Sequence, residues 1–241
     1  KFSTLHMQHL RSNAWRYMLA HIVKRFGPRR LGDITGADIQ KYYNEIAANT
    51  SDSTANRYLT LLRLLYNKAR SWGDYYGENP CASVTKKREP NHRLRFLTQE
   101  EMKVLLSVAH PRLRPILVCA LLTGMRRGEI LNLKWEDVDL ERNTIHILVS
   151  KSGKQRRIPL ASKLKELLDL EPVKKGYVFK LALIMLRRYY DKAITQANLP
   201  GFRFHDLRHT FASHYAMNTH DMASLQIILG HSTPTLTMRY A

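Results

Sequence analysis

The sequence predicts a mainly α-helical protein with a small antiparallel β-sheet: an all-α N-terminal helical bundle followed by an α+β domain. Three observations predict this fold class. Apolar residues recur at helical spacing through most of the 241 residues. A polar, strongly basic stretch over 85–94 is typical of an interdomain linker. β-Branched residues over 144–149, a Ser-Gly turn and a second extended run over 155–159 indicate a hairpin.

The N-terminal domain, residues 1–84, is predicted to contain three helices. The first buries an apolar face over residues 15–26. Thr35 and Asp38 predict a capping box for the second helix, and Ser53 is predicted to cap the third. We interpret the polar side of the third helix as facing phosphates, with a solvated face as the alternative; its basic residues are Arg57, Arg63, Lys68 and Arg70.

The C-terminal domain, residues 95–241, is predicted to begin with a capping box formed by Thr98 and Glu101. The apolar run from Ile116 predicts a buried helix that ends at Gly124. After a short helix and the hairpin, helical patterns return over 161–170, 182–197, 206–217, 221–229 and 235–240. The domain is therefore expected to be helical with one small sheet.

Charge is the strongest property of the composition. The chain has 39 basic and 20 acidic residues, a net charge of +19, and the excess lies in both domains rather than in a tail. A folded chain that is basic throughout favours a polyanionic partner, most often nucleic acid. The alternative is a set of solvated basic residues with no partner.

Other bulk features restrict the compartment. Cys81 and Cys119 lie far apart and outside any CxxC pattern, which favours a reduced cytosolic protein over a disulfide framework. No apolar run approaches the roughly 18 residues that a membrane-spanning helix needs, and no signal peptide opens the chain, so no membrane partner is expected. Because the first residue is Lys1, the chain is expected to be a fragment.

Two motifs place basic residues where they could bind an anion. In TGMRRGE, Arg126 follows the glycine that ends the buried helix, and Glu129 is expected to hold a guanidinium; a surface arginine with a capping acid is the alternative. The hairpin is expected to contact phosphates, with a solvated turn as the alternative. Lys151 precedes the turn and can point toward a cleft, although Lys154 is close and leaves the choice open; the tip also carries Arg156 and Arg157.

The motif HDLRH opens a helix with His205 near its N-terminus and Arg208 one turn later on the same face. A helix N-terminus with a histidine and an arginine is suited to binding a phosphate. The alternative is a metal site formed by His205 and His209, but the chain has no HExxH motif, no carboxylate ligand pattern and no cysteine pair. We therefore expect neither a metal nor a cofactor.

The last motif, LGHSTPTLTMRY, predicts a helix end, a turn and a short final helix. His231 follows a glycine at a helix terminus, and Tyr240 can return to the same cleft; a core tyrosine is the alternative. These residues together permit phosphoryl transfer without a metal. Two guanidinium groups can stabilise a pentavalent transition state while a tyrosine hydroxyl attacks phosphorus. A lysine can protonate the leaving 5′-oxygen, and a histidine can take the proton of the nucleophile.

The four motifs TGMRRGE, SKSGKQRRIPL, HDLRH and LGHSTPTLTMRY occur in this order over 95–241. With them the sequence resembles the tyrosine recombinase family, the phage integrase-like site-specific recombinases. The resemblance implies a helical core-binding, DNA-binding domain over 1–84, a basic linker over 85–94 and a catalytic domain over 95–241. Members of the family continue past the tyrosine with a tail, and because this sequence stops at Ala241 we expect it to be truncated before that tail.

The resemblance also implies the activity and the role of each residue. It implies a recombinase that cleaves and rejoins DNA strands through a 3′-phosphotyrosyl intermediate and integrates or excises a mobile element. The implied roles are phosphate binding for Arg126 and Arg208, general acid to the 5′-hydroxyl for Lys151, acid and base for His205, a bond to the scissile phosphate for His231, and the nucleophile for Tyr240.

The implied partners are double-stranded DNA attachment sites and further copies of the chain in a synaptic tetramer, which is expected to be weak without the tail. A DNA-bending accessory protein is a further implied partner, and the implied location is the bacterial cytoplasm, on the nucleoid. Two alternatives are a type IB topoisomerase-like relaxing enzyme and a non-catalytic DNA-binding regulator on the same fold. The two-domain layout favours a recombinase over the first, and the intact Tyr240 argues against the second.

Overall fold

The computed structural model describes residues 13–89, 94–148 and 155–241. The chain divides into two compact units, residues 1–92 and 93–241. None of the helices in the described ranges is both long and apolar enough to cross a membrane.

In its described part, residues 13–89, the N-terminal unit has three helices, α1 (Asn13–Phe26), α2 (Gly36–Asn49) and α3 (Asp52–Ser71). Two 3₁₀ turns accompany them, at Leu31–Asp33 and Pro80–Ser83. The three predicted helices are thus confirmed. Their apolar faces meet in one core because each helix has apolar residues on one side only; its largest members include Leu19, Ile39, Tyr42, Leu61 and Tyr66.

The helix starts in this unit follow from local capping chemistry. The predicted box on α2 is confirmed, since Thr35 Oγ1 accepts the N–H of Asp38 and the Asp38 carboxylate accepts the N–H of Thr35 at 2.9 Å. The predicted cap of α3 was wrong. Ser51, not Ser53, has extended backbone and accepts the N–H of Thr54 at 3.2 Å, because the helix already begins at the residue after Ser51.

One of the basic residues on α3, Arg63, bonds to backbone within the unit. The Arg63 guanidinium donates to the backbone carbonyls of Cys81 and Val84, with Nε 3.2 Å from the Cys81 oxygen. These carbonyls flank the Pro80–Ser83 turn, so Arg63 fastens the turn to the helix. These bonds use Nε and Nη2 of Arg63, so the structure gives this side chain a role within the unit, and its contact with phosphate stays a prediction.

Polar contacts also attach part of the predicted linker to this unit. The Asn56 amide donates to the Lys87 carbonyl at 2.9 Å and to the Glu89 carboxylate at 3.0 Å. The Tyr43 hydroxyl donates to Asn56 Oδ1 at 2.7 Å and accepts the Lys87 N–H at 2.9 Å. Residues up to Glu89 therefore have a defined place on α2 and α3.

The C-terminal unit contains eight helices and three short strands among its described residues. These are α4 (Gln99–Val108), α5 (Arg114–Thr123), α6 (Arg127–Leu131), β1 (Val138–Asp139), β2 (Thr144–Ile147), β3 (Arg156–Pro159), α7 (Ser162–Asp169), α8 (Leu183–Gln196), α9 (Asp206–Thr219), α10 (Met222–Leu229) and α11 (Thr235–Met238). The mainly helical fold class with a small antiparallel sheet is confirmed, as is the Thr98 and Glu101 capping box of α4.

The sheet contains the predicted hairpin and one strand more. β2 and β3 pair antiparallel, with Ile145 opposite Ile158 and Ile147 opposite Arg156. β1 pairs with the other edge of β2, with Val138 opposite Ile145. The sequence analysis did not find β1, because two residues are too few for a period-two pattern.

Helix α5 lies at the centre of the unit and is buried along most of its length. It ends at Gly124, which has a φ of +61°. A Cβ at this position would lie 2.4 Å from the Phe211 ring on α9. Glycine is therefore required both for the left-handed backbone and for the close approach of α9.

Candidate active site

Arg208 on α9 brings distant motifs together. Its side chain is buried, with Nη1 donating to the Gly124 carbonyl at 2.7 Å and Nη2 donating to the Leu229 carbonyl at 2.6 Å. Gly124 ends α5 and Leu229 ends α10, and carbonyls at helix C-termini carry partial negative charge that favours a cation. The first, third and fourth motifs therefore meet at this guanidinium.

A second cluster is centred on the Glu129 carboxylate. Arg126 donates to it from Nη1 at 2.9 Å and from its backbone N–H at 2.8 Å. Arg156 donates from Nη1 at 3.1 Å and from Nη2 at 2.7 Å, a bidentate pair. The expectation that Glu129 holds a guanidinium is confirmed, and it holds two. Burial alone would raise the pKa of Glu129, but the hydrogen bonds from Arg156 and Arg126 outweigh it and keep the pKa below its usual value.

The prediction that Arg156 contacts phosphates at the hairpin tip was wrong. Its side chain is only 3% exposed, and Nε donates to the Ile228 carbonyl at 2.8 Å. Alternation along β3 explains this: Arg156 and Ile158 face the interior, while Arg157 faces outward. A Cβ on Gly230 would lie 3.0 Å from Arg156 Cδ, so the glycine that ends α10 leaves room for this arginine.

His205 lies immediately before α9, as predicted, and its carbonyl accepts the N–H of Arg208 at 3.1 Å. The two side chains diverge: Arg208 points inward, whereas His205 is exposed. The His205 ring meets the His209 ring edge-on, with centroids 5.1 Å apart. Partial desolvation, followed by the positive charge of Arg208, lowers the pKa of His205.

His231 lies just past the end of α10, beside the final helix. Its Nδ1 is 2.8 Å from Oγ1 of the buried Thr237. Burial, and next the positive charges of Arg208 and Arg126, lower the pKa of His231 to about 4. The imidazole is therefore neutral at physiological pH and lies within the field of both arginines.

Tyr240 returns to the same site at the end of the chain. Its hydroxyl lies 2.6 Å from Nδ1 of His209. Burial raises the pKa of Tyr240, while the positive charges of Arg208 and Arg239 oppose this rise. Its ring packs on a small apolar cluster between α9 and α10, formed by Ala212, Ala216, Leu225 and Leu229.

Of the six residues predicted for the site, five lie together, with four of them around Arg208: Arg126, His205, His231 and Tyr240. Lys151 and its alternative Lys154 fall in 149–154, outside the described residues. Four guanidinium groups and two carboxylates of the described residues act on the five, so the site has an excess of positive charge: these are Arg126, Arg156, Arg208 and Arg239, and Glu129 and Asp206. Burial, and next the charge of Arg126, lower the pKa of Arg208 to about 10, which still leaves it charged at neutral pH. The arrangement is suited to stabilising an anion.

The alternative metal site at His205 and His209 has no third ligand within the part of the chain that the structure describes. No group of three or more His, Cys, Asp or Glu side chains in 13–89, 94–148 and 155–241 is placed to hold a metal ion. His209, which the sequence analysis considered only as a metal ligand, bonds instead to Tyr240. No sequence signal indicated this role, because the two residues are 31 positions apart. They meet only because Tyr240, after the last helix, packs against α9 and α10.

We expect the free energy of unfolding to fall as the pH is lowered from 7 to 5. Burial, and next the neighbouring positive charges, lower the pKa of both His209 and His231 to about 4. An unfolded histidine titrates near 6.5, so between these values the unfolded chain binds more protons and acid favours it. Urea unfolding followed by circular dichroism at each pH measures the change. The double variant His209→Asn/His231→Asn should have a flatter profile, and an unchanged slope would contradict the assignment.

Comparison with known proteins places these residues in a family. The sequence model of the phage integrase family matches residues 95–241. The chain is 29% identical to the shufflon-specific DNA recombinase of Escherichia coli, over 96% of this chain and 64% of that protein. It is 34% identical to the integrase of Haemophilus phage HP1, over 79% of this chain and 56% of that protein. The chain thus spans less than two thirds of the length of these relatives.

Among solved structures, a lambda integrase tetramer bound to a Holliday junction is similar to this chain with a TM-score of 0.83, over 99% of this chain and 74% of that chain. The sequence identity is 21%, so this similarity concerns the fold. The family model, by contrast, covers more than half of the chain and includes all four motifs. The chain therefore belongs to the phage integrase family.

Proposed function

We propose that this chain is a site-specific DNA recombinase that cleaves and rejoins DNA strands through a 3′-phosphotyrosyl intermediate, without a metal or cofactor. One observation carries the proposal: the Tyr240 hydroxyl lies in the same site as Arg126 and Arg208. The charge of Arg208 acts on Tyr240, and the charge of Arg126 acts on Arg208. The relatives named as integrases and recombinases support the same reaction.

In the cleavage step, the Tyr240 oxygen attacks the scissile phosphorus. The new bond joins Tyr240 Oη to phosphorus, and the bond from phosphorus to the 5′-oxygen breaks. Arg126 and Arg208 bind the nonbridging oxygens, whose negative charge increases in the transition state. We assign protonation of the departing 5′-oxygen to Lys151, the role that the family resemblance implies.

The two histidines predicted for the site complete the binding of the phosphate. His231 faces the field of both arginines and can donate a hydrogen bond to a nonbridging oxygen through the nitrogen that Thr237 does not occupy. His205 is exposed at the start of α9, where a substrate can reach it. In the rejoining step a 5′-hydroxyl attacks the phosphotyrosine, and Tyr240 leaves with a proton.

The two units have different proposed roles. We assign duplex binding to the N-terminal unit, with the linker against the phosphate backbone, and strand transfer to the C-terminal unit. The net charge of +19 supports a duplex partner. Further copies of the chain are the second proposed partner, as in the lambda integrase tetramer on its Holliday junction. The proposed location is the bacterial cytoplasm, and a DNA-bending accessory protein stays a prediction. The comparisons do not favour the topoisomerase or the regulator.

The test is formation of a covalent adduct in EDTA. A duplex site is first enriched from a random-sequence library by binding to this chain, and a nick is then placed beside each candidate phosphate so that a short 5′-hydroxyl fragment diffuses away. We expect an SDS-resistant protein–DNA band whose phosphopeptide maps to Tyr240. A scrambled duplex of equal length is the control. Tight binding without a band, or a band that maps to another residue, would overturn the proposal.

A further inference from the structure

His209 contacts the hydroxyl of the proposed nucleophile, Tyr240, directly. It lies on α9, next to Arg208, and its Nδ1 is 2.6 Å from the Tyr240 hydroxyl oxygen. The two ring centroids are 5.8 Å apart at an angle of 42°. A distance of 2.6 Å is at the short end of the range for a hydrogen bond to a hydroxyl, so the pair forms a close bond.

The position of this pair is set by packing on both sides of it. Below the hydroxyl, the Tyr240 ring packs against the apolar cluster between α9 and α10. The exposed ring of His205, three residues before Arg208 in the sequence, contacts the His209 ring edge to face. Tyr240 is also fixed through its backbone, since its N–H donates to the Thr237 carbonyl at 3.0 Å. The imidazole and the phenol therefore meet in one orientation.

The charge around His209 decides its protonation state. Burial, and next the positive charge of His205 when protonated, lower the pKa of His209 to about 4, so its ring is neutral at physiological pH. A neutral imidazole accepts a hydrogen bond at its unprotonated nitrogen, so the tautomer with its proton on Nε2 accepts the Tyr240 hydroxyl at Nδ1, and we assign this tautomer to His209. The titratable and charged groups that face it are His205 just before α9, Asp206 and Arg208 on α9, His231 after α10, and Arg239 and Tyr240 at the end of the sequence.

Asp206, the one acidic group in that set, does not neutralise the site. Its carboxylate accepts the backbone N–H of Arg203 at 2.7 Å and so holds the turn that precedes α9. The arginines, by contrast, favour the deprotonated form of Tyr240. A neutral acceptor for the hydroxyl proton and nearby cations each make the phenol oxygen a better nucleophile.

We propose that His209 is a catalytic residue that accepts the phenol proton of Tyr240 as the tyrosine oxygen attacks phosphorus. The inference rests on the proposed function. As the bond from Oη to phosphorus forms, the O–H bond breaks and the proton moves to Nδ1 of His209; the 5′-oxygen leaves with a proton from the general acid. In the rejoining step the proton returns from His209 to the departing Tyr240 oxygen, so the site is restored.

Three variants separate proton transfer from placement. His209→Asn puts an amide oxygen near the position of Nδ1, which keeps a hydrogen-bond acceptor but removes the base. His209→Ala removes both and leaves space that added imidazole can fill. His214→Gln is the matched control on the same helix, because His214 bonds through Nε2 to the Leu97 carbonyl at 2.8 Å, away from Tyr240.

The measurement is the single-turnover rate of adduct formation on the enriched, nicked duplex at saturating DNA, across pH 5.5 to 9. We expect His209→Asn to lower the rate roughly 10²–10⁴-fold, the usual range for losing a general base, with duplex affinity retained. Its rate should rise steadily with pH, whereas the rate of the unaltered chain should level off. Imidazole should partly restore His209→Ala, and His214→Gln should match the unaltered chain.

A second substrate tests whether His209→Asn impairs removal of the tyrosine proton or protonation of the leaving 5′-oxygen. A sulfur in place of the bridging 5′-oxygen makes a leaving group that needs no protonation, so the defect of His209→Asn should persist with it. Full recovery on this substrate, or an unaltered rate and pH profile for His209→Asn, would overturn the role of His209 alone. Absence of any adduct from the unaltered chain would instead overturn the proposed function, and this inference with it.

Discussion

Replacing Tyr240 with phenylalanine is expected to abolish the SDS-resistant protein–DNA adduct and to leave duplex binding in place. The substitution removes one oxygen, which is the proposed nucleophile, and leaves the ring in its cluster between α9 and α10. Loss of the hydrogen bond to His209 is expected to lower the free energy of unfolding by about 1 kcal/mol. Because affinity for DNA comes mainly from contacts with phosphates, it is expected to change by less than about threefold.

The measurement combines an SDS gel on the nicked duplex with a mobility-shift titration under the same conditions. Tyr215→Phe is the matched control, since Tyr215 packs on the same cluster and has no contact with the proposed reaction. We expect Tyr215→Phe to form the adduct at the rate of the unaltered chain. An adduct that persists in Tyr240→Phe would mean that another residue attacks the phosphate.

Replacing Glu129 with alanine is expected to lower the free energy of unfolding more than the other single substitutions proposed for this protein. The Glu129 side chain is 8% exposed and is the carboxylate that pairs with the buried Arg156 and with Arg126. Its removal leaves a buried guanidinium without a counter-charge, which typically costs about 3–5 kcal/mol. Urea unfolding measures the loss. Glu136→Ala is the control, because Glu136 forms an exposed pair with Lys134 and its removal should cost less than about 1 kcal/mol.

A double-mutant cycle checks the cause of that loss. Arg156→Met keeps much of the apolar volume beside Gly230 and removes the buried charge. We expect Glu129→Ala/Arg156→Met to be more stable than Glu129→Ala, because the double variant no longer has an unpaired charge in the interior. Additive losses would contradict the pairing. Both Glu129 variants should also form less adduct, since Arg126 loses the carboxylate that orients it.

Much of the fold could be predicted from the sequence because its signals are local. Capping boxes at Thr35 and Thr98 and one-sided apolar periodicity act within a few residues, and the structure confirms them. The error at Ser53 is also local, because four serines and threonines over residues 50–54 could cap this helix and the extended backbone at Ser51 selects that residue. The strand β1 was not predicted because it is too short to carry a pattern.

The fold class, the family and five residues that gather at one site could be predicted from the amino-acid sequence, because helix ends and motif order depend on neighbouring residues. What those residues contact became clear from the three-dimensional packing. Arg208 bonds to carbonyls 84 and 21 positions away, and Arg156 bonds to Glu129 and Ile228 rather than to solvent. His209 meets Tyr240 for the same reason: contacts between residues far apart in the chain depend on how α5, α9 and α10 pack, and no local pattern encodes that packing.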